Sequence, residues 1–562
     1  MRKAAKRITA IDLYSGVGGW SLGLRLAGID VIASYELSEF ANKTNDLNNS
    51  HPTSTVDIRK IDLKSLPKNV DVVVGSPPCT QFSYANRGGK GDIEDGLKDI
   101  VCFLKIVDYV KPKVWAMENV PRVAQIIEAE LRPGGRLRRF HHLGIKARVV
   151  NMEEFGLPQR RLRCIAGNFD FDLLHAFSAN ATKRTLGEIV EALANDSVID
   201  PIYKIQLSKA SLTDHVIEDC LNDEETRINR ANKTAHPVYN QMPFPDSLNR
   251  SVRTITATCT RVSRESIVIP DSVTPDAVRR LTVRERACLQ GFPITYQFCG
   301  RTHAQKLKLV GNALPPLFSF YVGHTIKRTS VRRIPSIAAR AKLLLKKPVE
   351  APSARPEKPG SKYPSSRTFR FAVPSLRLKS GVRFELVNAH SVRGTNWLIN
   401  FYFGSSKSIH DLRLGQGFER DVIKNLPSSV GKDVKAVCLR VSKFLATADL
   451  QNMQKVWSHK ARGKTHPFEL LDCVDAAGAE LSEILTSHAG ICSMLVNKAI
   501  LERYGRRVRK VVGIGKLERN SSRIVAGLTI GSIVNEFIGN QYYKPRATSE
   551  LNEQVIAVSF TT

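Results

Sequence analysis

Short apolar runs alternate with amphipathic stretches along the first 170 residues, and this alternation predicts strands and helices in turn. Residues 8–14, 30–35 and 70–74 are apolar runs of strand length, and helical periodicity follows at about 20–27 and 97–110. Continuous apolar runs are typical of parallel strands that are buried on both faces of a sheet. The pattern therefore predicts an α/β fold with helices packed on a parallel sheet.

The turn after the third apolar run carries the first candidate for chemistry. Gly75, Pro77 and Pro78 end the strand abruptly, and Cys79 follows them. In open α/β sheets, ligands bind at the carboxyl edge of the strands, where this cysteine would lie. A thiol on a proline-stiffened loop can act as a fixed nucleophile. A buried structural cysteine is the commoner explanation for one cysteine alone, so the assignment depends on its neighbours.

A glycine-rich turn after the first strand indicates a nucleotide-type site. Gly16, Gly18 and Gly19 would let the backbone approach a ligand closely, and the next helix begins there with free N–H groups. Glu36, at the end of the second strand, can bind ribose hydroxyls, and Asp57 lies near another predicted strand end. Because the spacing is not G-x-G-x-x-G, hydride chemistry is not indicated. The series predicts a cofactor that contains a ribose and an adenine.

Charged residues also follow later strands. Glu118 ends a predicted strand at residues 114–117, on the same edge as Cys79. Arg161 and Arg163 share one face of a predicted edge strand because they are two positions apart. A solvated basic edge strand is an equally good explanation for the two arginines alone.

The charge of the chain narrows the class of partner. Its 562 residues include 84 Lys and Arg against 53 Asp and Glu, a formal net charge of +31. This excess of positive charge predicts a polyanionic partner. Nucleic acid is the preferred candidate, and a membrane surface is the second. The sequence lacks an apolar stretch long enough for a membrane span. The ten cysteines are scattered without zinc spacing, which is typical of free thiols in a reducing compartment and predicts no metal site.

The rest of the chain divides by composition. Residues 171–275 lose the strand–helix rhythm and are predicted to form a separate small polar lobe, β-rich and basic around 251–264. Residues 331–366, rich in proline, alanine and basic residues, are predicted to be a basic and largely disordered linker.

Residues 367–562 are predicted to form a C-terminal α+β domain. Strands are expected at 397–403 and 434–441, and helices at 476–485 and 491–504. A nuclease, a DNA-binding module and an interaction domain all remain open for this part. A nuclease would need clustered carboxylates for magnesium, and the candidates Glu385 and Asp411 are predicted to be surface charges.

Residues 8–330 resemble the cytosine-5 DNA methyltransferases, because six blocks occur in that family's order. The blocks are Asp12-Leu13-Tyr14-Ser15-Gly16-Val17-Gly18-Gly19, Pro77-Pro78-Cys79 with Phe82-Ser83, Glu118-Asn119-Val120, Gln159-x-Arg161-x-Arg163, Leu281-Thr282-x-Arg284-Glu285 with Leu289-Gln290-Gly291-Phe292-Pro293, and Gly311-Asn312-Ala313-Leu314-Pro315. One departure is visible: the glutamine that usually follows the nucleophile is Thr80 here, with Gln81 one place later. The resemblance implies a Rossmann-like catalytic domain from residues 1–170 and 276–330, dependent on S-adenosylmethionine, with a target-recognition lobe at 171–275.

The resemblance also implies the chemistry. The Cys79 thiolate would add to carbon 6 of a cytosine flipped out of the duplex, and carbon 5 would then accept the methyl group. Glu118 would protonate N3, provided that burial keeps this carboxyl protonated, and Arg163, with Arg161 nearby, would bind O2. The charges of both arginines are expected to favour the thiolate.

Cofactor and DNA contacts follow from the same resemblance. S-adenosylmethionine would contact Leu13, Gly16, Gly18, Gly19, Glu36, Asp57, Ile58, Pro78 and Asn312. DNA would contact Gln81, Ser83, Arg253, Thr254 and Arg261. The predicted partner is double-stranded DNA, with no membrane and no metal needed for methylation. The enzyme is expected to act as a monomer in the bacterial cytoplasm, associated with the nucleoid, and a cognate restriction endonuclease is a candidate partner.

Two other functions stay open at this point. An RNA cytosine methyltransferase, acting on tRNA, would use the same scaffold. A catalytically inactive DNA-binding regulator would keep the net positive charge of the chain but would lack the catalytic residues. The intact catalytic blocks disfavour it. The preferred hypothesis is a sequence-specific DNA cytosine methyltransferase of bacterial or phage origin, and a restriction-modification system is its candidate context.

Overall fold

The structure is a computed structural model, and it describes residues 7–82, 91–235, 241–360, 362–378, 381–391, 394–405, 408–412 and 414–542. The chain divides into two compact units. The first takes the described parts of Met1–Thr226 and Phe244–Pro359, and the second takes those of Arg227–Pro243 and Gly360–Thr562.

The first unit has an α/β architecture. Its strands are β1 (Thr9–Leu13), β2 (Asp30–Glu36), β3 (Thr53–Thr55), β4 (Val72–Gly75), β5 (Val114–Asn119), β6 (Lys146–Asn151), β7 (Gln159–Arg160), β8 (Leu162–Gly167), β9 (Ser197–Ile199), β10 (Gln206–Ser208), β11 (Val252–Arg253), β12 (Val268–Pro270) and β13 (Val278–Arg280). Its helices are α1 (Gly19–Leu26), α2 (Glu39–Asn48), α3 (Ile93–Val110), α4 (Arg122–Glu130), α5 (Phe171–Ala176), α6 (Leu186–Ala194), α7 (Asp223–Thr234, which continues into the second unit), α8 (Val283–Leu289), α9 (His303–Asn312) and α10 (Pro316–Ile326).

Seven of these strands form the central sheet of the described residues, in the order β3-β2-β1-β4-β5-β8-β6. Strands β1 to β5 pair in parallel, whereas β8 is antiparallel to both β5 and β6. Leu13 lies opposite Gly75, and Gly75 lies opposite Met117, so the parallel strands end together at one edge. The predicted α/β class is confirmed.

The sheet is buried on both faces because its central strands are continuous apolar runs, and successive side chains of a strand point to opposite faces. One face joins a core with α1 and α10, and the other joins a core with α3 and α4. The first face includes Ala10, Val72, Val74 and Ala116, and the second includes Ile11, Leu13, Val73 and Trp115.

The predicted polar lobe shares much of its core with the catalytic domain, although Leu221 and Val268 form a small separate cluster with Val278. Phe171, Leu186, Val252 and Ile255 are buried in the same core as Trp20 of α1. The prediction of a β-rich stretch at 251–264 is wrong, because only the two residues of β11 are extended there. A small polar segment cannot bury enough apolar surface by itself, so it uses the core of its neighbour.

The predicted disordered linker is ordered over its first part. Short 3-10 turns span Val331–Arg333 and Ile337–Leu343, and Ile337 and Leu344 are buried in the core that contains α1. Further on, Glu357 lies 2.9 Å from the buried Arg280 side chain. The average composition of the segment did not predict this order, because a few buried or paired side chains suffice to fix a polar segment.

The second unit is α+β, as predicted. An antiparallel sheet in the order β14-β15-β16-β17 packs with helices. The strands are β14 (Arg370–Ala372), β15 (Arg383–Ser391), β16 (Gly394–Ser405) and β17 (Ser408–Asp411). The helices are α11 (Phe418–Asn425), α12 (Ser428–Thr447), α13 (Met453–Trp457), α14 (Pro467–Ile484), α15 (Ala489–Tyr504), α16 (Ile514–Arg519) and α17 (Ser521–Tyr542).

Two predictions for this unit are wrong. Residues 434–441 lie inside α12 and not in a strand, because Val434, Val437 and Val441 are buried at helical spacing. Glu385 is fully buried and paired with Arg370 and Arg383, so it is not a surface charge. The other predicted strand and both predicted helices lie within β16, α14 and α15.

Among the described residues, no single helix has both the length and the apolar character of a membrane span. The pair Pro467–Ile484 and Thr486–Tyr504 meets those criteria only jointly, across a bend of 53°.

Candidate active site

Cys79 lies in the loop that follows β4, at the carboxyl edge of the sheet. Ser76 donates its backbone N–H to the Leu13 carbonyl at 3.2 Å, and the Asn119 side-chain amide donates to the Pro77 carbonyl at 3.0 Å. These bonds tie the loop to β1 on one side and to the end of β5 on the other. The position of the thiol is therefore set by the sheet.

Glu118 and Arg163 form an ion pair at the same edge. Arg163 Nε lies 3.0 Å from Glu118 Oε1, and only 15% and 9% of the two side chains are exposed. The antiparallel pairing of β5 and β8, with Glu118 opposite Ile165, brings the two side chains together. Both are close enough to Cys79 for their charges to shift its pKa.

The pKa of Cys79 is raised above its ordinary value. Burial is the largest cause, and the Glu118 carboxylate adds to it. Arg163 and Arg161 lower the pKa, as the sequence led us to expect, but they do not outweigh burial. The thiol form therefore dominates at neutral pH in the protein without DNA.

Arg161 is fully buried and binds backbone carbonyls. Its guanidinium donates to Ile255 at 3.3 Å, Gly311 at 3.2 Å and Ala313 at 3.1 Å. The last two acceptors flank Asn312 and connect the Gln-x-Arg-x-Arg block to the last block of the unit. Arg161 therefore fixes the backbone on both sides of Asn312, and its predicted catalytic role stays a prediction.

A turn of left-handed backbone connects β1 to α1. Tyr14, Gly16 and Gly18 have φ values of 50°, 53° and 83°. Glu36, at the end of β2, accepts the Gly16 N–H at 2.9 Å and the Ser38 N–H at 2.7 Å. The carboxylate is thus fixed beside the glycine turn.

Gly19, Asp57 and Ile58 are further candidates for contact with the cofactor. A Cβ on Gly19 would lie 2.0 Å from the Leu314 carbonyl oxygen, so glycine is required for α1 to approach that segment. Asp57 accepts the Arg59 N–H at 3.0 Å and begins a short 3-10 turn in which Ile58 is buried.

Comparison with known proteins gives this edge its identity. Residues 8–328 match the family model described as C-5 cytosine-specific DNA methylase. The chain belongs to this family. It is a DNA cytosine-5 methyltransferase, and S-adenosylmethionine is its methyl donor. No family model covers the C-terminal part.

Named relatives of the methyltransferase each match somewhat more than half of the chain. A Type II methyltransferase of Haemophilus parahaemolyticus is 27% identical over 339 residues, which covers 57% of this chain and 86% of the relative. A Type II methyltransferase of Arthrospira platensis is 28% identical over 333 residues, with 58% and 86% covered. Among solved structures, the S. pombe Dnmt2 methyltransferase is 18% identical with a TM-score of 0.41, and 57% of this chain and 99% of that chain are covered.

The sheet edge of the methyltransferase fits its methyl donor. Apart from Gly16 and its two chain neighbours, no described residue has a heavy atom within 4 Å of the place where a Cβ on Gly16 would be, so a ligand can approach the backbone there. Pro78 and Asn312 are exposed, and the Glu36 carboxylate is half-buried. The Leu13 side chain points into the core, which leaves only its backbone for contact with a ligand.

Two predicted DNA contacts of the methyltransferase lie in ion pairs, and their contact with DNA stays a prediction. Arg261 is 4% exposed and binds both oxygens of Glu225 at 2.8 Å. Arg253 is paired with Asp246 and donates to the Ser266 carbonyl. Both arginines therefore stabilise the predicted recognition region, Arg253 through a carboxylate seven positions away and Arg261 through one 36 positions away.

The other DNA candidates remain predictions. Gln81 accepts the Asp92 N–H at 3.0 Å through its Oε1, and Thr254 donates its hydroxyl to the Arg160 carbonyl at 2.8 Å. Ser83 lies outside the described residues.

Sequence reasoning assigned no role to Gln159, a buried residue that links several blocks. Its Nε2 donates to Gln290 at 2.7 Å, and its Oε1 accepts the Ile255 N–H at 2.8 Å. Gln290 in turn donates to the Ala313 carbonyl at 2.5 Å. The alternation that pairs Arg161 with Arg163 continues back to position 159, and this signal could have placed Gln159 with them.

Proposed function

We propose that the enzyme methylates cytosine within one short sequence of double-stranded DNA, through a covalent adduct of Cys79. The observation that carries this proposal is the proximity of Cys79 to the Glu118–Arg163 pair at the carboxyl edge of the sheet. A nucleophile, a proton donor and a cation for the developing charge are the groups that cytosine activation needs.

In the proposed mechanism, the Cys79 thiolate forms a bond to carbon 6. The electron pair of the carbon 5–carbon 6 double bond moves toward N3 and O2, where Glu118 donates a proton to N3. Arg163 donates hydrogen bonds to O2. The mechanism requires Glu118 to carry its proton when the base is bound. After methyl transfer, a water molecule takes the proton from carbon 5, which re-forms the carbon 5–carbon 6 double bond and expels Cys79 as a thiolate. N3 then returns its proton to the Glu118 carboxylate.

The methyl donor would be held by the glycine turn and the strand ends beside it. Glu36 would accept hydrogen bonds from the ribose hydroxyls, and the backbone at Gly16 and Gly18 would contact the ligand closely. Asp57 and Ile58 would lie against the adenine, and Asn312 would close the site. When bound there, S-adenosylmethionine supplies an electrophilic methyl group to the activated ring.

The relatives support a place in DNA modification. Several similar proteins are Type II methyltransferases, so we propose that this enzyme is the modification partner of a restriction endonuclease in a bacterium or phage. One chain carries every block of the family, which favours action as a monomer. The net charge of +31 supports binding to DNA phosphates, which would help repay the cost of flipping the cytosine, a few kcal/mol.

The test is whole-genome bisulfite sequencing of a methylation-free bacterial host that expresses the full chain, beside Cys79→Ser. We expect methylated cytosines in one short motif, and none with the variant. A duplex with 5-fluorocytosine at the target should then give an adduct at Cys79 by mass spectrometry, because fluorine cannot leave carbon 5 as a proton does. Methylation of host RNA alone would establish the RNA enzyme, and cofactor binding without methylation of either would establish the regulator.

A further inference from the structure

Helix α7 of the predicted recognition region belongs to both folded units. Its first residues, through Thr226, fall in the first unit, whereas Arg227–Pro243 falls in the second. The C-terminal part of the chain therefore packs with a segment that lies between the Gln-x-Arg-x-Arg and Leu-Thr-x-Arg-Glu blocks. This arrangement was not predicted, because it joins positions more than 200 residues apart.

The beginning of α7 is fixed by buried ion pairs of the first unit. Glu225, 2% exposed, binds Arg261 through both oxygens at 2.8 Å. Arg261 also approaches Glu218 at 3.4 Å, and Glu218 binds Arg280 at 2.6 and 2.7 Å. Arg280 ends β13, directly before the Leu-Thr-x-Arg-Glu block. Buried, bidentate pairs of this kind fix geometry closely.

The later turns of α7 are fixed by residues of the C-terminal part. The Arg227 guanidinium lies 4.1 Å from the centre of the Phe468 ring, and its two terminal nitrogens contact the two carboxylate oxygens of Asp472. Arg377 donates to the Thr234 carbonyl at 2.9 Å. Stacking and a two-pronged carboxylate contact together orient an arginine more strictly than either alone.

Phe468 is itself rigidly held. It packs against Phe369, Phe371 and Trp457, with ring centres 5.1 to 5.8 Å away. Phe468 and Trp457 are both buried within the second unit. Arg227 is thus seated on a preformed aromatic cluster, which gives α7 a fixed support.

We propose that the C-terminal part, residues 360–542, belongs to the target-recognition machinery, because it holds α7. The inference rests on the proposed function, since it needs an enzyme that chooses a DNA sequence. A 12-residue helix is about 18 Å long and stiff, so contacts at Arg227 and Thr234 fix the direction of the whole helix. Reading base edges requires positioning within about 0.5 Å, which a free segment does not supply.

The experiment measures sequence discrimination by the full-length enzyme. Duplexes that contain the motif found by bisulfite sequencing are compared with duplexes changed at one base pair, and the ratio of kcat/KM is the readout. Arg227→Glu places like charges beside Asp472, and Arg227→Ala is the milder variant. We expect the ratio to fall at least tenfold with Arg227→Glu, and cofactor affinity to stay within twofold.

Two further variants separate this role from general stability. The double variant Arg227→Glu with Asp472→Arg restores the ion pair with its two charges exchanged. It should recover most of the discrimination between the duplexes. Glu480→Gln removes the exposed Arg440–Glu480 pair from the same helix, α14, and should leave the ratio unchanged. Circular dichroism checks that each variant is folded.

The outcomes are distinguishable. Unchanged discrimination in folded Arg227→Glu overturns the inference and leaves the proposed function standing. An equal loss of kcat/KM on every duplex also overturns it, because the C-terminal part would then supply only general DNA affinity. A full-length enzyme that methylates no DNA overturns the proposed function, and the inference falls with it.

Discussion

Arg161 allows a sharp separation of a catalytic role from a positioning role. The sequence placed it among the catalytic residues, and the structure gives its guanidinium three backbone acceptors and burial of 99% of its surface. The perturbation is Arg161→Met, which keeps much of the length and removes the charge and the donors. The matched control is Arg160→Met, because Arg160 is the exposed neighbour.

The magnitude follows from the contacts. A hydrogen bond from a charged donor contributes about 1.5–3 kcal/mol, so three such bonds contribute roughly 5–9 kcal/mol. Burying the guanidinium charge without a carboxylate offsets several kcal/mol of this gain. We expect Arg161→Met to lower the free energy of unfolding by ~3–5 kcal/mol. Arg160→Met should change it by less than about 0.5 kcal/mol.

The assay is urea unfolding followed by circular dichroism, with hydrogen exchange at the segment around Gly311 and Ala313. Because Asn312 lies between these two acceptors of Arg161, titration calorimetry should also show weaker cofactor binding in Arg161→Met. The reasoning would be refuted if Arg161→Met unfolded at the same urea concentration as Arg160→Met and lost only kcat. Arg161 would then act on the substrate directly.

Three other predictions concern the same edge of the sheet. Because the pKa of Cys79 is raised, its alkylation by iodoacetamide should keep accelerating above about pH 8, and a plateau reached below pH 8 would contradict this. Gly19→Ala brings a Cβ to 2.0 Å from the Leu314 carbonyl oxygen, so it should lower the free energy of unfolding by about 1–3 kcal/mol and weaken cofactor binding. The control is Gly490→Ala, whose Cβ would meet no described neighbour within 4 Å, and it should change neither thermal unfolding nor cofactor binding. Burial raises the pKa of Asp12 to about 7, so the folded chain holds this proton more tightly than the unfolded chain does. Its contribution to the free energy of unfolding, roughly 4 kcal/mol, is then full below about pH 4 and is lost as the pH rises to about 7. Urea unfolding at several pH values should show this pH dependence in the unaltered chain and not in Asp12→Asn. The same pH dependence in both chains would count against the prediction.

The sheet edge was predictable because strand ends are encoded locally. An apolar run that stops at glycine or proline marks the end of a strand, and parallel strands end together, so Cys79 and Glu118 could be placed on one edge from the sequence. The glycine turn beside Glu36 was predictable for the same reason.

Buried charges were not predictable from the same patterns. Arg261 looks like a DNA contact until Glu225, 36 positions away, is found against it. Glu385 looks like a surface charge until two arginines enclose it. A periodic pattern reports which face of an element is buried, but it does not report which distant side chain lies opposite.

The ordered start of the predicted linker changes where the catalytic module should be cut. The family match stops at residue 328, yet Ile337 and Leu344 fill part of the core beside α1, and Glu357 reaches Arg280. A fragment trimmed to the family boundary would leave apolar cavities against α1, and Arg280 would keep Glu218 but lose its second carboxylate partner. Protein engineers who graft this methyltransferase onto another fusion partner should place the joint after residue 359, because the evolutionary module and the folding module end at different residues.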